Sequence, residues 1–365
     1  MKILISDFHA GCQMWQAALL KELGHDVFIE SCSGHSIYID KKFIKEVQTD
    51  LIKKVNVHNI SSNMLTEQDI NYFQNNFDTV VVSFPPKFID VFKPVKFKYP
   101  KILNCGHRLH IHTKNDPFFL KNLKKSVEDG EIILGSMSRY DTEYIKHYLD
   151  IIPIELKVVC FHVPYEHPYN PSRNEILVGP CHVDKLYPFD SIYEMNNMSS
   201  VLGHRLVFSK IKDIYQNYKY EDLLNHKAVV IFPYSVFSIS IAEIYELNIP
   251  MFVPSKELLL KSELLNDVSL YPFYLTYEEM SNVDIPSENS PHIFSPNSYI
   301  KDHKNYWLDF SYFFDKKHII FWDSPSDLFE KLLKSNLNSI SENMRLENEY
   351  NRGKELNNWK KILNI

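Results

Sequence analysis

The sequence predicts an α/β protein of two domains, each a parallel sheet covered by helices on both faces. Three observations lead there: a length of 365 residues with 44% hydrophobic content, apolar runs of four to six residues alternating with helical stretches, and a Pro-rich break near the middle. That length exceeds the usual reach of one hydrophobic core.

Residues 1–6 (MKILIS) read as a buried strand, and 13–23 as a helix with Met14, Trp15, Ala18, Leu19 and Leu23 along one side. Gly24 stops that helix, and residues 25–29 resume as a strand. This β-loop-α-β unit spans roughly thirty residues, the length of a right-handed parallel crossover, so the chain opens like a Rossmann domain. The alternation continues through strands at 79–83, 101–104 and 131–134, a helix at 140–149 and a last strand at 158–161. Near-continuous apolar strands separated by helices imply a sheet buried on both faces.

Residues 164–171 (PYEHPYNP) read as a linker between domains at 1–165 and 172–334. The second series has strands at 175–178, 205–208, 228–232, 250–253 and 319–321, with helices at 239–247 and 325–333. Residues 281–298, rich in Ser, Pro and Asn, read as a long loop. The tail 335–365 is polar and helix-prone, with Trp359, Ile362 and Leu363 as apolar anchors.

A net charge of -6 argues against a general nucleic-acid binder, which would carry a clustered basic excess. The five cysteines, Cys12, Cys32, Cys105, Cys160 and Cys181, are scattered without the close pairs of a zinc site or small disulfide framework, which fits a reducing, cytoplasmic setting. The first apolar run is interrupted by Asp7 and His9, and no stretch reaches the length of a membrane span. The sequence holds no Gly-x-Gly-x-x-Gly after the first strand, no phosphate-cradling Gly-x-x-x-x-Gly-Lys-Ser/Thr and no Gly-x-Ser-x-Gly, which counts against dinucleotide oxidoreductases, nucleoside triphosphatases and serine hydrolases.

The most informative stretch runs from Tyr220-Glu221-Asp222 through His226-Lys227-Ala228-Val229-Val230-Ile231-Phe232-Pro233-Tyr234-Ser235 and Ser238-Ile239-Ser240-Ile241-Ala242-Glu243 to Asn248-Ile249-Pro250. A diphosphate is best held where free backbone N–H groups and a helix dipole converge, and a serine-rich turn before a helix supplies both, with Ser235, Ser238 and Ser240 as added donors. A carboxylate one to two turns into that helix can accept both hydroxyls of a ribose, and Glu243 is so placed. Ser240-Ile241-Ala242-Glu243 also fits a capping box, in which Glu243 would only secure the helix start.

This stretch resembles the donor half of GT-B glycosyltransferases. The resemblance implies two Rossmann-like domains facing a central cleft, a UDP- or GDP-type nucleotide sugar as co-substrate, a glycan or related acceptor, and no cofactor. It makes Glu243 the ribose ligand and has the terminal helix return to the first domain. In inverting members a His in the loop after the first strand removes the acceptor proton; His9 matches it, with Asp7 orienting His9 or acting in its place. The other reading of His9 is a residue that caps the helix after it. Asn248 stands where many members have Gly, and the first loop has Gly11 alone rather than a glycine pair.

Other candidates lie in the loops leaving later strands. His107 is a second base and Arg108 a counter-charge to phosphate, while His107, His110 and His112 invite a metal reading that competes with an extended surface segment. His182 and Lys210 are candidates for the diphosphate, and Tyr220 for stacking on the base. With no Asp-x-Asp, a metal-independent route is expected, the leaving-group charge being met by a helix end and cationic side chains. Alternatives are a sugar-nucleotide epimerase of the same fold and a binding protein without turnover.

Overall fold

The computed structural model describes residues 1–364 apart from 34–44, 46, 48, 50, 58–59, 107–108, 111–112, 114–115, 117, 165, 167, 181–185, 234, 262–284 and 299. The described chain divides into two compact α/β units, Met1–His162 with Pro272–Ser295 and Gly353–Ile365, and Val163–Tyr271 with Pro296–Arg352. Each is built on a sheet of parallel strands, as the apolar runs predict.

In the first unit the strands are β1 (Lys2–Asp7), β2 (Asp26–Ser31), β3 (Thr79–Val82), β4 (Lys101–Cys105), β5 (Ile132–Ser136) and β6 (Ile154–Glu155), in the spatial order β2-β1-β3-β4-β5-β6. The β1 residues Ile3, Leu4 and Ile5 and all four residues of β3 are fully buried, which is why their sequences show no alternation of apolar and polar side chains. Helix Ala10–Glu22 returns the chain from β1 to β2 and starts three residues earlier than its apolar stripe suggests, because His9 caps it. The expected strand at 158–161 is not one: Val158, Val159 and Cys160 are buried but belong to no strand, and the edge place is taken by the two-residue β6, which bonds β5 through Gly135 and Ser136. Burial of an apolar run does not by itself create strand partners.

In the second unit β7 (Ile176–Val178), β8 (Phe208–Lys210), β9 (Val229–Val230), β10 (Met251–Pro254) and β11 (Ile320–Trp322) lie in the order β11-β10-β9-β7-β8. Val178, Val230, Phe252, Phe208, Phe189, Trp322, Leu328 and Phe329 share one core. Helix Ile239–Glu246 follows β9, and helix Pro325–Lys334 follows β11.

Helix Leu337–Leu363 ends the chain; residues to Arg352 group with the second unit and the rest with the first. Within the first unit Trp359 is fully buried and meets the edge of Trp15, ring centres 6.4 Å apart. Residues 285–298 carry no helix or strand where described. Among the described residues no helix is long and apolar enough to cross a membrane.

Candidate functional site

Both sheets share one connectivity. After the first two strands the chain passes to the other side of the first and continues outward, so a switch point lies between β1 and β3 and another between β7 and β9. Crevices at the carboxyl ends of such strands are where open α/β sheets place ligands, because two loops diverge there and expose backbone groups.

At the first switch point Asp7 ends β1 with no exposure. One carboxylate oxygen accepts the His9 N–H at 2.7 Å; the other accepts those of Ser83 at 2.8 Å and Phe84 at 2.9 Å. Burial pushes the Asp7 carboxyl up to about 7, against the opposite pull of these N–H groups. Two buried glutamines support the loop: Gln13 donates to the Glu30 carbonyl at 2.8 Å and Gln16 to the Ser83 hydroxyl at 2.7 Å. Asp7 therefore fixes the main chain that carries His9 and does not bond the imidazole. The expectation that Asp7 orients the ring or acts in its place is corrected: a carboxylate committed to three backbone donors and sealed from solvent reaches no substrate.

His9 is half-buried, its ring edge-on to Phe84 with centres 6.2 Å apart. Its Nδ1 accepts the Cys12 N–H at 3.4 Å, the capping role read from sequence as the alternative. That bond aims the Nδ1 lone pair at the backbone and leaves the neutral ring's proton on Nε2. To take a proton at Nε2, His9 has to surrender a long, weak cap and shift its proton to Nδ1.

His107 and Arg108 lie outside the described residues, as do His112 and His182. His110 is 3% exposed, with Nδ1 2.7 Å from the Tyr144 hydroxyl and its ring against Tyr148, so it is a core residue rather than part of an extended surface segment. No group of three or more His, Cys, Asp or Glu suited to a metal ion occurs among the described residues.

At the second switch point Val178 stands level with Val230 on one side and Lys210 on the other. The Gly179 N–H bonds the Val230 carbonyl at 3.0 Å, and its φ of +122° is a conformation that side chains oppose. Lys210 is half-buried at the end of β8, and Tyr220, also half-buried, opens the short helix Tyr220–Leu224 that leads back to β9.

The serine turn after β9 divides into two parts. Ser235 is 1% exposed, and its hydroxyl donates to the Phe237 carbonyl at 2.7 Å while accepting the Phe237 N–H at 3.4 Å. Its proton serves the turn, which corrects the expectation that it donates to a diphosphate. Ser238, 6% exposed, occupies the cap position of helix Ile239–Glu246 with extended backbone angles but no capping bond from its side chain. Among the described residues no acceptor bonds the N–H groups of Ile239, Ser240 or Ile241. Five other helix starts, at His9, Thr66, Ser138, Ser191 and Ser324, have a side-chain cap.

Because the helix begins at Ile239, Ser240 lies within its first turn and Glu243 just beyond it, so the pair is not a capping box. Both are half-buried. The other carboxylate of this helix, Glu246, is 1% exposed and pairs with Arg352 at 3.0 Å, and Arg352 also donates to the Val163 carbonyl at 3.4 Å. Asn248 terminates the helix in the left-handed region at φ +59°, which Asn tolerates better than most residues, and its side chain is held by Asn348 at 2.8 Å. Arg352 and Asn348 are missed by sequence reasoning. Their signal is only that two polar residues, four apart on a long helix, are buried.

No protein-family model and no curated protein matches the chain. Among solved structures it is similar to CalG4, the calicheamicin glycosyltransferase, at 9% identity over 100% of this chain and 98% of that one, with a TM-score of 0.43. It is also similar to the glycosyltransferase SnogD from Streptomyces nogalater, at 12% identity over 91% of this chain and 98% of that one, with a TM-score of 0.40. A third similar structure is the UDP-GlcNAc 2-epimerase from Methanocaldococcus jannaschii, at 10% identity over 84% of this chain and 98% of that one, with a TM-score of 0.37.

Proposed function

We propose that this chain is a glycosyltransferase that moves a sugar from a UDP- or GDP-type nucleotide sugar to a hydroxyl of a glycan or related acceptor, without a metal ion. The observation that carries this reading is the first turn of helix Ile239–Glu246, whose N–H groups have no acceptor among the described residues, beside the switch point of the second sheet. Its N–H groups and the positive end of its dipole suit a diphosphate, a contribution of up to about 2 kcal/mol when partly buried. Ser240 adds a hydroxyl, and Lys210, at the same edge of the sheet, adds positive charge to meet the leaving group. Glu243, half-buried just beyond the first turn of that helix, is the carboxylate for the ribose hydroxyls. His9 is the proposed base for the acceptor hydroxyl, once its Nδ1 releases the Cys12 cap.

Calorimetric titration of the wild-type protein and Glu243→Ala with UDP and GDP sugars tests the donor site. The variant should lose at least about tenfold in affinity, or about 1.4 kcal/mol, with its circular dichroism unchanged. Undiminished donor binding by Glu243→Ala would remove the support for this site. Conversion of a donor sugar in the absence of any acceptor would point instead to epimerisation.

A further inference from the structure

We propose that Asp7 is an internal anion, whose carboxylate occupies the switch-point crevice of the first unit and closes it to phosphate-bearing ligands. In an open α/β sheet this crevice offers backbone N–H groups from two diverging loops and the start of a helix, the combination that elsewhere receives a phosphate. Here those groups already hold the Asp7 carboxylate. The N–H groups of His9, Ser83 and Phe84 converge on the two Asp7 oxygens at 2.7, 2.8 and 2.9 Å, drawn from the loops after β1 and β3, and helix Ala10–Glu22 begins directly behind. The carboxylate is fully buried, and Gln16 braces the second loop through Ser83.

The equivalent place in the second unit differs. No acidic residue ends β7 or β9, and the helix that follows β9 has its first three N–H groups without an acceptor among the described residues. Among the described residues, one unit thus carries its own carboxylate at the switch point, and the other presents donors. On the sugar-transfer reading, on which this last step rests, the nucleotide belongs to the second unit, and what approaches His9 is an uncharged hydroxyl compound rather than a phosphorylated one.

The test is thermal melting of the full chain at pH 8 as wild type, Asp7→Ala and Asp7→Asn, titrated with sodium formate or inorganic phosphate against sodium chloride at matched ionic strength. Asp7→Ala should melt lower than wild type, by on the order of 5 °C. Formate and phosphate should each return at least half of that loss in a saturable way, beyond any rise they produce in wild type. Asp7→Asn, which keeps one acceptor oxygen, should fall between the two and respond less. Equal responses of Asp7→Ala and wild type to both anions overturn the proposal. Should Asp7→Ala fail to fold in plain buffer, refolding in formate recovers it on this proposal, and failure to recover it there refutes the internal-anion role. A nucleotide-sugar titration of Asp7→Ala keeps the two ideas apart. Unchanged donor affinity without anion rescue sinks the internal anion alone, whereas unchanged donor affinity in Glu243→Ala sinks the donor site alone.

Discussion

Removing one partner of the Glu246–Arg352 pair should cost more stability than removing both. The side chains are 1% and 8% exposed, the contact is 3.0 Å, and the same guanidinium nitrogen reaches the Val163 carbonyl at 3.4 Å. Desolvating two such ions largely offsets their attraction, so the pair adds little net stability, yet a single charge left behind in the same surroundings is uncompensated. Glu246→Leu should therefore lose about 3–5 kcal/mol, as should Arg352→Met, whereas the two combined should stay within about 1 kcal/mol of wild type or exceed it. The coupling between the two positions then comes to about 5 kcal/mol or more, well above the scatter expected for independent sites. Urea unfolding followed by circular dichroism measures each corner of the cycle. If the two units melt separately, the change belongs to the transition of the second. A Glu246→Leu cost below about 1 kcal/mol, or additive single changes, would refute the reasoning. The pair anchors the carboxyl end of helix Ile239–Glu246, so donor affinity should fall along with stability in the single variants and return in the double one.

Two buried carboxyls, Glu30 and Glu355, make stability fall as pH rises. Burial holds Glu30 at about 7 and Glu355 at about 8, against an ordinary value of 4.5, so the folded chain binds their protons more tightly than the unfolded one. Their contribution is complete below about pH 4 and is lost as pH passes 7 to 8. Glu355→Gln, which keeps the shape and the Asn358 contact, should raise stability at pH 8.5 by on the order of 2 kcal/mol and leave it nearly unchanged at pH 4; melting curves at the two values decide this. Gly135→Ala puts a methyl carbon 2.6 Å from Leu156 Cδ1 and 3.0 Å from the Asn104 side-chain oxygen, an overpacking worth about 1–3 kcal/mol in urea unfolding, and Leu156→Ala in the same chain should relieve part of it. His9→Gln should lower the transfer rate by about 10²- to 10⁴-fold with donor affinity unchanged, and a variant that retains full turnover removes His9 from the reaction.

The sequence carries the architecture of each unit in its apolar runs. Strands such as β1 and β3 are buried on both faces, so their composition is continuous and strongly local in origin. It also carries the position of the serine turn, since a Pro-ended strand and a Ser-rich entry to a helix are features of neighbouring residues. It misreads residues 158–161, where burial and strand pairing part company.

What each polar group does was not legible, because its partners are remote in the chain. Asp7 looks like a candidate for chemistry at the end of a strand, yet its donors Ser83 and Phe84 lie 76 and 77 residues away, and only their convergence turns it into a buried brace. Glu243 and Glu246 sit on one short helix with similar local surroundings; Arg352, 106 residues from Glu246, decides that Glu246 is held in a buried ion pair. Ser235 and Ser240 read alike until the helix is seen to begin at Ile239. Local composition and periodicity thus determined the strands, helices and the edge at which ligands are expected. Tertiary structure alone decided which side chains at that edge are spent on the fold, because a carboxylate or hydroxyl is claimed by whichever donor or acceptor the folded chain brings within about 3 Å.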